Sequence, residues 1–186
     1  MPSKSELILS PENTVLIVVD IQEKLYAAID GRREMASQAV KVIKLAKVYN
    51  IPIIATEQYP KGLGLTIPKV KDALGDVKCH EKLHYSAFDV ESFVKELEST
   101  RRKDIILVGI EAHICILQTA LELIENGFEV FIAADAVSSR DPENKRLALE
   151  RMRQHGAEIV VTESVLFEWL RDAAHPSFRE VRKLLG

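Results

Sequence analysis

The sequence contains few cysteines, no surplus of basic residues and no long hydrophobic run. Its two cysteines, Cys79 and Cys115, form neither a disulfide framework nor the spacing of a metal site. Lys and Arg number 25 against 28 Asp and Glu, a net charge of -3, which indicates neither a nucleic-acid partner nor a polybasic membrane anchor. No stretch resembles a transmembrane helix or a signal peptide. These absences predict a cytoplasmic protein that binds neither nucleic acid nor membrane.

The length and composition are those of one globular domain. The chain has 186 residues, of which 47% are hydrophobic and 28% are charged. This balance is typical of a folded protein with a sizeable core, and the length leaves little room for a second domain. We therefore expect a single domain over residues 1–186.

Apolar runs alternate with segments of helical periodicity along the chain. The runs predict strands at residues 14–19, 52–56, 77–80, 105–108, 128–134 and 157–161. The periodic segments predict helices at residues 21–29, 34–49, 88–99, 114–126, 142–155, 163–172 and 177–185. Residues 57–68 are predicted to form a loop. This alternation predicts an α/β fold whose parallel sheet is covered by helices on both faces.

Cys115 lies at a switch from strand to helix, within residues 104–127, DIILVGIEAHICILQTALELIENG. Open α/β sheets place active sites beyond the carboxyl ends of their strands. A helix N-terminus also favours a thiolate, so the position predicts a nucleophile with a pKa below the roughly 8.5 of free cysteine. The alternative is a small apolar residue packed under the sheet, which is the role that we expect for Cys79.

The segment GIEAHICILQTALELIENGFEVFIAADAVSSR resembles the signature region of the isochorismatase-like cysteine hydrolases. The resemblance runs from about residue 14 to about residue 178. It implies a three-layer α/β/α sandwich with a parallel, six-stranded, Rossmann-like sheet. It also implies that Cys115 is the nucleophile of an Asp–Lys–Cys triad.

The other two members of this triad are implied by matching motifs. Asp20 ends the first predicted strand, in VVDIQ, where position alone also fits the N-cap of the next helix. The resemblance implies that Asp20 is the base, and that Gln22 of the same motif contacts the substrate. Lys82 precedes SAF in HEKLHYSAF, where an ordinary lysine would be solvated. The resemblance instead implies that Lys82 stabilises the thiolate and a tetrahedral adduct.

The turn before Cys115 is expected to provide an oxyanion hole. The resemblance implies a cis peptide bond between Ile110 and Glu111, which would direct the N–H groups of Glu111 and Cys115 toward one point. In the later segment DAVSSR, Asp135 and Arg140 are expected to form an ion pair.

No metal or other cofactor is expected. Nicotinamidase-type relatives carry an Asp-x-His pair after the second strand, where this chain reads TEQYP over residues 56–60. Three ligands at a recognisable spacing are missing, so His80, His84 and His113 are interpreted as polar loop or pocket residues.

The resulting prediction is a metal-independent cysteine hydrolase acting on an amide or carbamoyl-type C–N bond of a small molecule. Two alternatives stay open, namely a vinyl ether hydrolase of the isochorismate type and a non-catalytic binding or scaffold protein. The resemblance also implies a homo-oligomer. Its interface could include the apolar side chains of Phe167, Trp169, Leu170 and Phe178.

Overall fold

The computed structural model of the protein describes residues 8–185 and contains one parallel sheet. Its strands are β1 (Thr14–Val19), β2 (Ile53–Gln58), β3 (Cys79–Lys82), β4 (Asp104–Ile110), β5 (Glu129–Ser138) and β6 (Glu158–Val160). Their order across the sheet is β3-β2-β1-β4-β5-β6, so the chain reverses its direction of winding between β1 and β4. The carboxyl ends of these two central strands form the crevice in which such sheets bind ligands.

Helices cover both faces of the sheet, as predicted. They are α1 (Glu23–Ala28), α2 (Arg32–Val48), α3 (Pro60–Leu63), α4 (Pro68–Leu74), α5 (Glu91–Ser99), α6 (Leu117–Glu125), α7 (Pro142–Gln154), α8 (Thr162–Leu170) and α9 (Phe178–Leu185). Helices α2, α4, α8 and α9 share one core with the sheet, and α5, α6 and α7 share the other. The predicted three-layer α/β/α sandwich is therefore confirmed. Within residues 8–185, no helix is both long and apolar enough to cross a bilayer.

The central strands are apolar throughout because both of their faces are buried. In β1, Leu16 and Val18 belong to one core, and Val15 and Ile17 belong to the other. Alternate side chains of a strand point to opposite faces, so a strand between two helical layers needs apolar residues at consecutive positions. This requirement explains why the apolar runs located the central strands.

Several predicted boundaries differ from the structure. Strand β3 begins two residues later than expected and includes Lys82, because the residues of this edge strand are too polar for the pattern to locate its ends. Strand β5 continues to Ser138, beyond its predicted end at residue 134. Helix α3 lies inside the predicted loop of residues 57–68, and α4 was not predicted. Helix α7 begins as predicted, with Asp141 as the N-cap that accepts a hydrogen bond from Glu143 N and with Pro142 as the first helical residue.

Gly109 allows β1 and β4 to approach each other at the crevice. A Cβ atom at this position would lie 2.2 Å from the carbonyl oxygen of Val19, and the φ angle of Gly109 is 142°. Any larger residue would push the two central strands apart at the point where their ends form the candidate site.

Candidate active site

Asp20, Lys82 and Cys115 meet at the carboxyl edge of the sheet, as the sequence predicts. They follow or end β1, β3 and β4, respectively, and are only 0%, 3% and 4% exposed. Lys82 Nζ lies 2.7 Å from Asp20 Oδ2. The Cys115 thiol is within hydrogen-bonding reach of both side chains. Three separate strands thus bring a carboxylate, an ammonium and a thiol into mutual contact.

Asp20 directs its carboxylate into the sheet rather than toward the next helix. Its backbone adopts a left-handed conformation with a φ of 52°, which is uncommon for a residue other than glycine. Thr56 Oγ1 donates a hydrogen bond to Asp20 Oδ1 at 2.7 Å. The N-cap of α1 is Gln22, so the alternative that Asp20 caps this helix is wrong.

Lys82 is surrounded by acceptors that fix its ammonium group. Besides the Asp20 carboxylate, Nζ donates to Gln58 Oε1 at 2.6 Å, to the carbonyl oxygen of Tyr85 at 3.0 Å and to that of His84 at 3.3 Å. A buried ammonium needs such partners because it has lost its hydration. The contact with Gln58 was not foreseen from the sequence.

The loop after β3 is anchored to α6, the helix that follows Cys115. Ala87 N donates to Thr119 Oγ1 at 2.9 Å, and the Ser86 hydroxyl forms a short hydrogen bond with the Glu122 carboxylate. These two bonds connect the carbonyl groups around Lys82 with the element next to the thiol.

Gln22 lies behind the site rather than at its surface. The side chain is fully buried, and its Nε2 donates to the carbonyl oxygens of Gln58 at 2.9 Å and Gly64 at 2.7 Å. Its Oε1 accepts a hydrogen bond from Gln58 N at 2.7 Å. Both ends of the amide therefore bind backbone, which contradicts the predicted substrate contact in this structure.

The turn that carries Cys115 differs from the prediction in two respects. Residues Ala112–Ile116 form a π-helical turn, and α6 begins only at Leu117, so the thiol precedes the α-helix. All peptide bonds within residues 8–185 are trans, including the bond between Ile110 and Glu111. The cis prediction is wrong because Glu111, with a φ of 56° and a ψ of 60°, makes the turn in a left-handed conformation instead.

The side chain of Glu111 is part of a second polar cluster beside the thiol. Arg140 Nε lies 2.6 Å from Glu111 Oε1, and His113 Nδ1 lies 3.4 Å from Glu111 Oε2. Asp135 accepts hydrogen bonds from the backbone and hydroxyl of Thr162, at 2.8 and 2.9 Å. The predicted ion pair between Asp135 and Arg140 is therefore wrong, because each has a different partner.

The Cys115 thiol is protonated in the resting site. Burial and the negative charge of Asp20 raise its pKa to about 12, and the positive charge of Lys82 only partly opposes them. The predicted low pKa is wrong because the sequence showed the nearby helix but not the depth of burial. Burial also raises the pKa of Cys79, which packs beside one of the two cores.

A cavity lies next to Lys82 on the side of the edge strand. It has a volume of about 330 Å³, and Tyr59, Lys61 and Leu83 are among its lining residues. Leu83 is 73% exposed there. Lys82 lines the cavity, but its side chain is fully buried, and neither Asp20 nor Cys115 lines it.

Two of the histidines that were considered as possible ligands have partners other than a metal. His80 contacts Ser92 and Glu96, and His113 contacts Ser139. In the part of the chain that the structure describes, no group of three His, Cys, Asp or Glu side chains could hold a metal ion. Metal independence nevertheless stays a prediction, because only activity measurements test it.

Comparison with known sequences identifies a family. The isochorismatase domain matches residues 14–164. Isochorismatase domain-containing protein 2 of Danio rerio is 42% identical over 180 residues, which cover 96% of this chain and 89% of the relative.

Solved structures share the fold over nearly the whole chain. The MAR1 ribonuclease of Caenorhabditis elegans is 37% identical, with a TM-score of 0.91 over 96% of this chain and 92% of that one. YcaC of Pseudomonas aeruginosa, solved with hexane-2,5-diol and covalent acrylamide, is 25% identical, with a TM-score of 0.90 over 98% and 93% of the two chains. YcaC of Escherichia coli, an octameric hydrolase of unknown specificity, is 26% identical, with a TM-score of 0.87 over 98% and 97%.

Proposed function

Because the chain belongs to the isochorismatase domain family, we propose that it is a metal-independent cysteine hydrolase that cleaves an amide or carbamoyl-type C–N bond of a small molecule. One observation carries this proposal, namely the buried contact of Asp20 with Lys82, 2.7 Å apart, beside the Cys115 thiol. A buried charge pair next to a nucleophile is the arrangement that proton transfer and anion stabilisation require.

The first half of the reaction forms a bond between sulfur and carbon. Since the resting thiol is protonated, Asp20 takes its proton as Sγ attacks the carbonyl carbon. The electron pair of the C=O bond moves to oxygen, and Lys82 balances the negative charge that develops in the site. The electron pair on oxygen then re-forms the C=O bond as the C–N bond breaks, and the nitrogen leaves with the proton that Asp20 held.

The second half releases the acyl group through the same residues, with water as the nucleophile and sulfur as the leaving atom. A water molecule gives a proton to Asp20 and adds to the thioester carbon. The C–S bond breaks, the proton returns to Sγ, and the product leaves as an acid. Asp20 thus alternates between base and acid, while Lys82 stays charged.

We propose the backbone N–H groups of Glu111 and Cys115 as the oxyanion donors. Glu111 immediately precedes the π-helical turn and Cys115 lies within it, where N–H groups at a helix start lack intrahelical partners. One well-placed donor is typically worth about 2.7–4 kcal/mol in the transition state.

Two alternatives within this fold are a vinyl ether hydrolase and a non-catalytic scaffold. The buried Asp20–Lys82 pair disfavours a scaffold, since two ions without hydration are expensive to keep unless they act. Experiment can distinguish ether hydrolysis from amide hydrolysis, because ether hydrolysis need not form a covalent bond between the substrate and Cys115. Trapping of an acyl-enzyme on Cys115 therefore distinguishes the two chemistries.

The similarity to a ribonuclease raises a third alternative. Proteins that bind RNA neutralise several phosphates with Lys and Arg. The cation of this site, Lys82, is buried and already paired with Asp20. The small-molecule substrate is thus the better-supported proposal, and single-stranded RNA belongs in the screen as the competing class.

A substrate screen with matched variants tests the proposal. Small amides, carbamoyl compounds, a vinyl ether and single-stranded RNA are incubated with the wild type, Cys115→Ala and Cys79→Ala. We expect turnover of an amide or carbamoyl compound by the wild type and Cys79→Ala, none by Cys115→Ala, and survival of the activity after dialysis against a chelator. Turnover by Cys115→Ala would contradict the assigned nucleophile, and rescue by added zinc, iron or manganese would contradict metal independence.

We also propose a cytoplasmic homo-oligomer. The E. coli relative is octameric. Of the predicted interface residues, Trp169 and Leu170 are buried in the core, whereas Phe167 is about half exposed and available for an interface. A monomer mass by light scattering at micromolar concentration would contradict self-association.

A further inference from the structure

Gln58, the last residue of β2, holds the head group of Lys82 and the backbone that follows it. Of the neutral acceptors around Lys82 Nζ, Gln58 Oε1 is the nearest, at 2.6 Å. At the other end of the same amide, Nε2 donates to the carbonyl oxygen of Leu83 at 2.8 Å. One nearly buried side chain therefore sets both the ammonium position and the path of the chain beyond β3.

The backbone of Gln58 is itself fixed from the neighbouring strand. The amide of Gln22 accepts from Gln58 N at 2.7 Å and donates to Gln58 O at 2.9 Å. The last backbone pair of β1 and β2 is Val19 with Thr56, so Gln22 continues the pairing with its side chain beyond the point where β1 ends. This explains why Gln22 is buried in a motif that also contains Asp20.

A lysine side chain has four rotatable carbon bonds and keeps one position only when fixed acceptors surround its head group. Removing Oε1 of Gln58 would leave Nζ free to move toward the carbonyl groups of the β3 loop, and so away from Asp20 and Cys115. This movement would weaken the stabilisation that the ammonium gives to a negative charge on sulfur.

We propose that Gln58 is a positioning residue of this site, which holds the Lys82 ammonium against Asp20 and in reach of Cys115, while Gln22 holds Gln58. The inference rests on the proposed cysteine hydrolase function, because it assigns Gln58 a role through Lys82. Gln58 itself does not touch the reacting atoms.

A double-mutant cycle on the reactivity of Cys115 tests this role without a known substrate. In a Cys79→Ala background, the rate at which iodoacetamide alkylates Cys115 is measured by mass spectrometry at pH 7 to 10. Below its pKa a thiol reacts in proportion to its thiolate fraction, so the rate at each pH reports a change in pKa. We expect Gln58→Met to slow alkylation by about tenfold, equivalent to one pKa unit.

The same substitution is then made in a Lys82→Met protein. If Gln58 acts through Lys82, Gln58→Met has no further effect there, whereas a purely structural role would change the rate equally in both backgrounds. An equal effect in both backgrounds, or a Gln58→Met rate equal to that of the wild type, overturns the proposal. Gln38→Met, on α2, is the matched control and should leave the rate unchanged.

A second variant keeps the test decisive if Gln58→Met does not fold. Gln58→Asn retains an amide but is one methylene shorter, so its oxygen cannot reach Nζ, and the same pair of outcomes applies to it. Failure of the hydrolase proposal is separately visible, since it would appear as turnover by Cys115→Ala. The labelling cycle is measured independently of that result, so the two failures are distinguishable.

Discussion

Arg140 Nε lies 2.6 Å from Glu111 Oε1, although the arginine side chain is 58% exposed and the glutamate side chain only 5%. This ion pair connects the segment after β5 with the turn that carries Cys115.

Arg140→Met should destabilise the protein because, of the two partners that the described residues give to the buried Glu111 carboxylate, it removes the nearer one and leaves His113. A buried group left without its hydrogen bond typically costs about 1–3 kcal/mol, and we expect a loss in this range because Arg140 is largely exposed to solvent. Urea unfolding would measure the loss. The control is Arg146→Met, which removes ion pairs with Glu143 and Glu150 on the surface of α7 and should leave the unfolding midpoint unchanged. Equal midpoint shifts in the two variants would contradict this prediction.

Gly109→Ala should destabilise the protein severely. The added Cβ would meet the Val19 carbonyl oxygen at 2.2 Å in the centre of the sheet, so β1 and β4 would have to separate. We expect a loss of about 3 kcal/mol or more in the free energy of unfolding. Gly127→Ala is the control, because its φ angle is also positive, at 78°, but its Cβ would have nothing within 4 Å. That variant should lose only about 1 kcal/mol.

Lys82→Met should cost stability as well as reactivity, since it leaves the Asp20 carboxylate buried without its ion-pair partner. Breaking a buried pair from one side typically costs about 3–5 kcal/mol. The double variant Lys82→Met with Asp20→Asn removes both charges and should therefore be more stable than Lys82→Met alone. A double variant whose loss in the free energy of unfolding equals the sum of the two single losses would show that the pair is not coupled.

Asp104→Asn should stabilise the protein at alkaline but not at acidic pH. Burial, together with the charge of Glu129, raises the pKa of Asp104 to about 6. A carboxyl group with a raised pKa contributes stability below its unfolded pKa of about 4, and this contribution is lost as the pH rises through the folded value. Asn13 Nδ2, which donates to Asp104 Oδ1 at 2.7 Å, can donate equally to an asparagine oxygen.

We expect Asp104→Asn to gain on the order of 1 kcal/mol or less at pH 8, because the group is partly exposed and solvent screens its charge. Thermal unfolding of both proteins at pH 4 and pH 8 measures the difference. A gain of the same size at both pH values would contradict the assigned cause.

The sequence predicted the central strands better than the edge strand and the residues behind the site. Residues Thr14–Val19 were predicted to the residue because a strand buried on both faces must be apolar throughout. Strand β3, with CHEK and a single neighbouring strand, carries no such signal. Asp20, Lys82 and Cys115 were predicted through motifs shared with a family. They lie together in the structure, and their catalytic roles stay a prediction.

Two features of the site depend on contacts that no local pattern shows. Gln22 and Gln58 are 36 positions apart, so their mutual hydrogen bonds appear only once β1 and β2 are adjacent. The thiol pKa depends on how deeply Cys115 is buried and on the charge of Asp20, whereas the sequence revealed only a nearby helix.

Lys82 lies on an edge strand, so its part of the site should open by thermal fluctuation more readily than the parts carried by the central strands. Among the described strands, β3 pairs with β2 alone, whereas β1 and β4 each lie between two neighbours. Amide protons of β3 should thus exchange with deuterium sooner than those of β1 and β4, through a fluctuation that leaves the central strands intact. Such a fluctuation of β3 displaces the Lys82 ammonium from Asp20 and Cys115. The time for which the three side chains stay together is therefore limited by the opening of β3 rather than by unfolding of the domain.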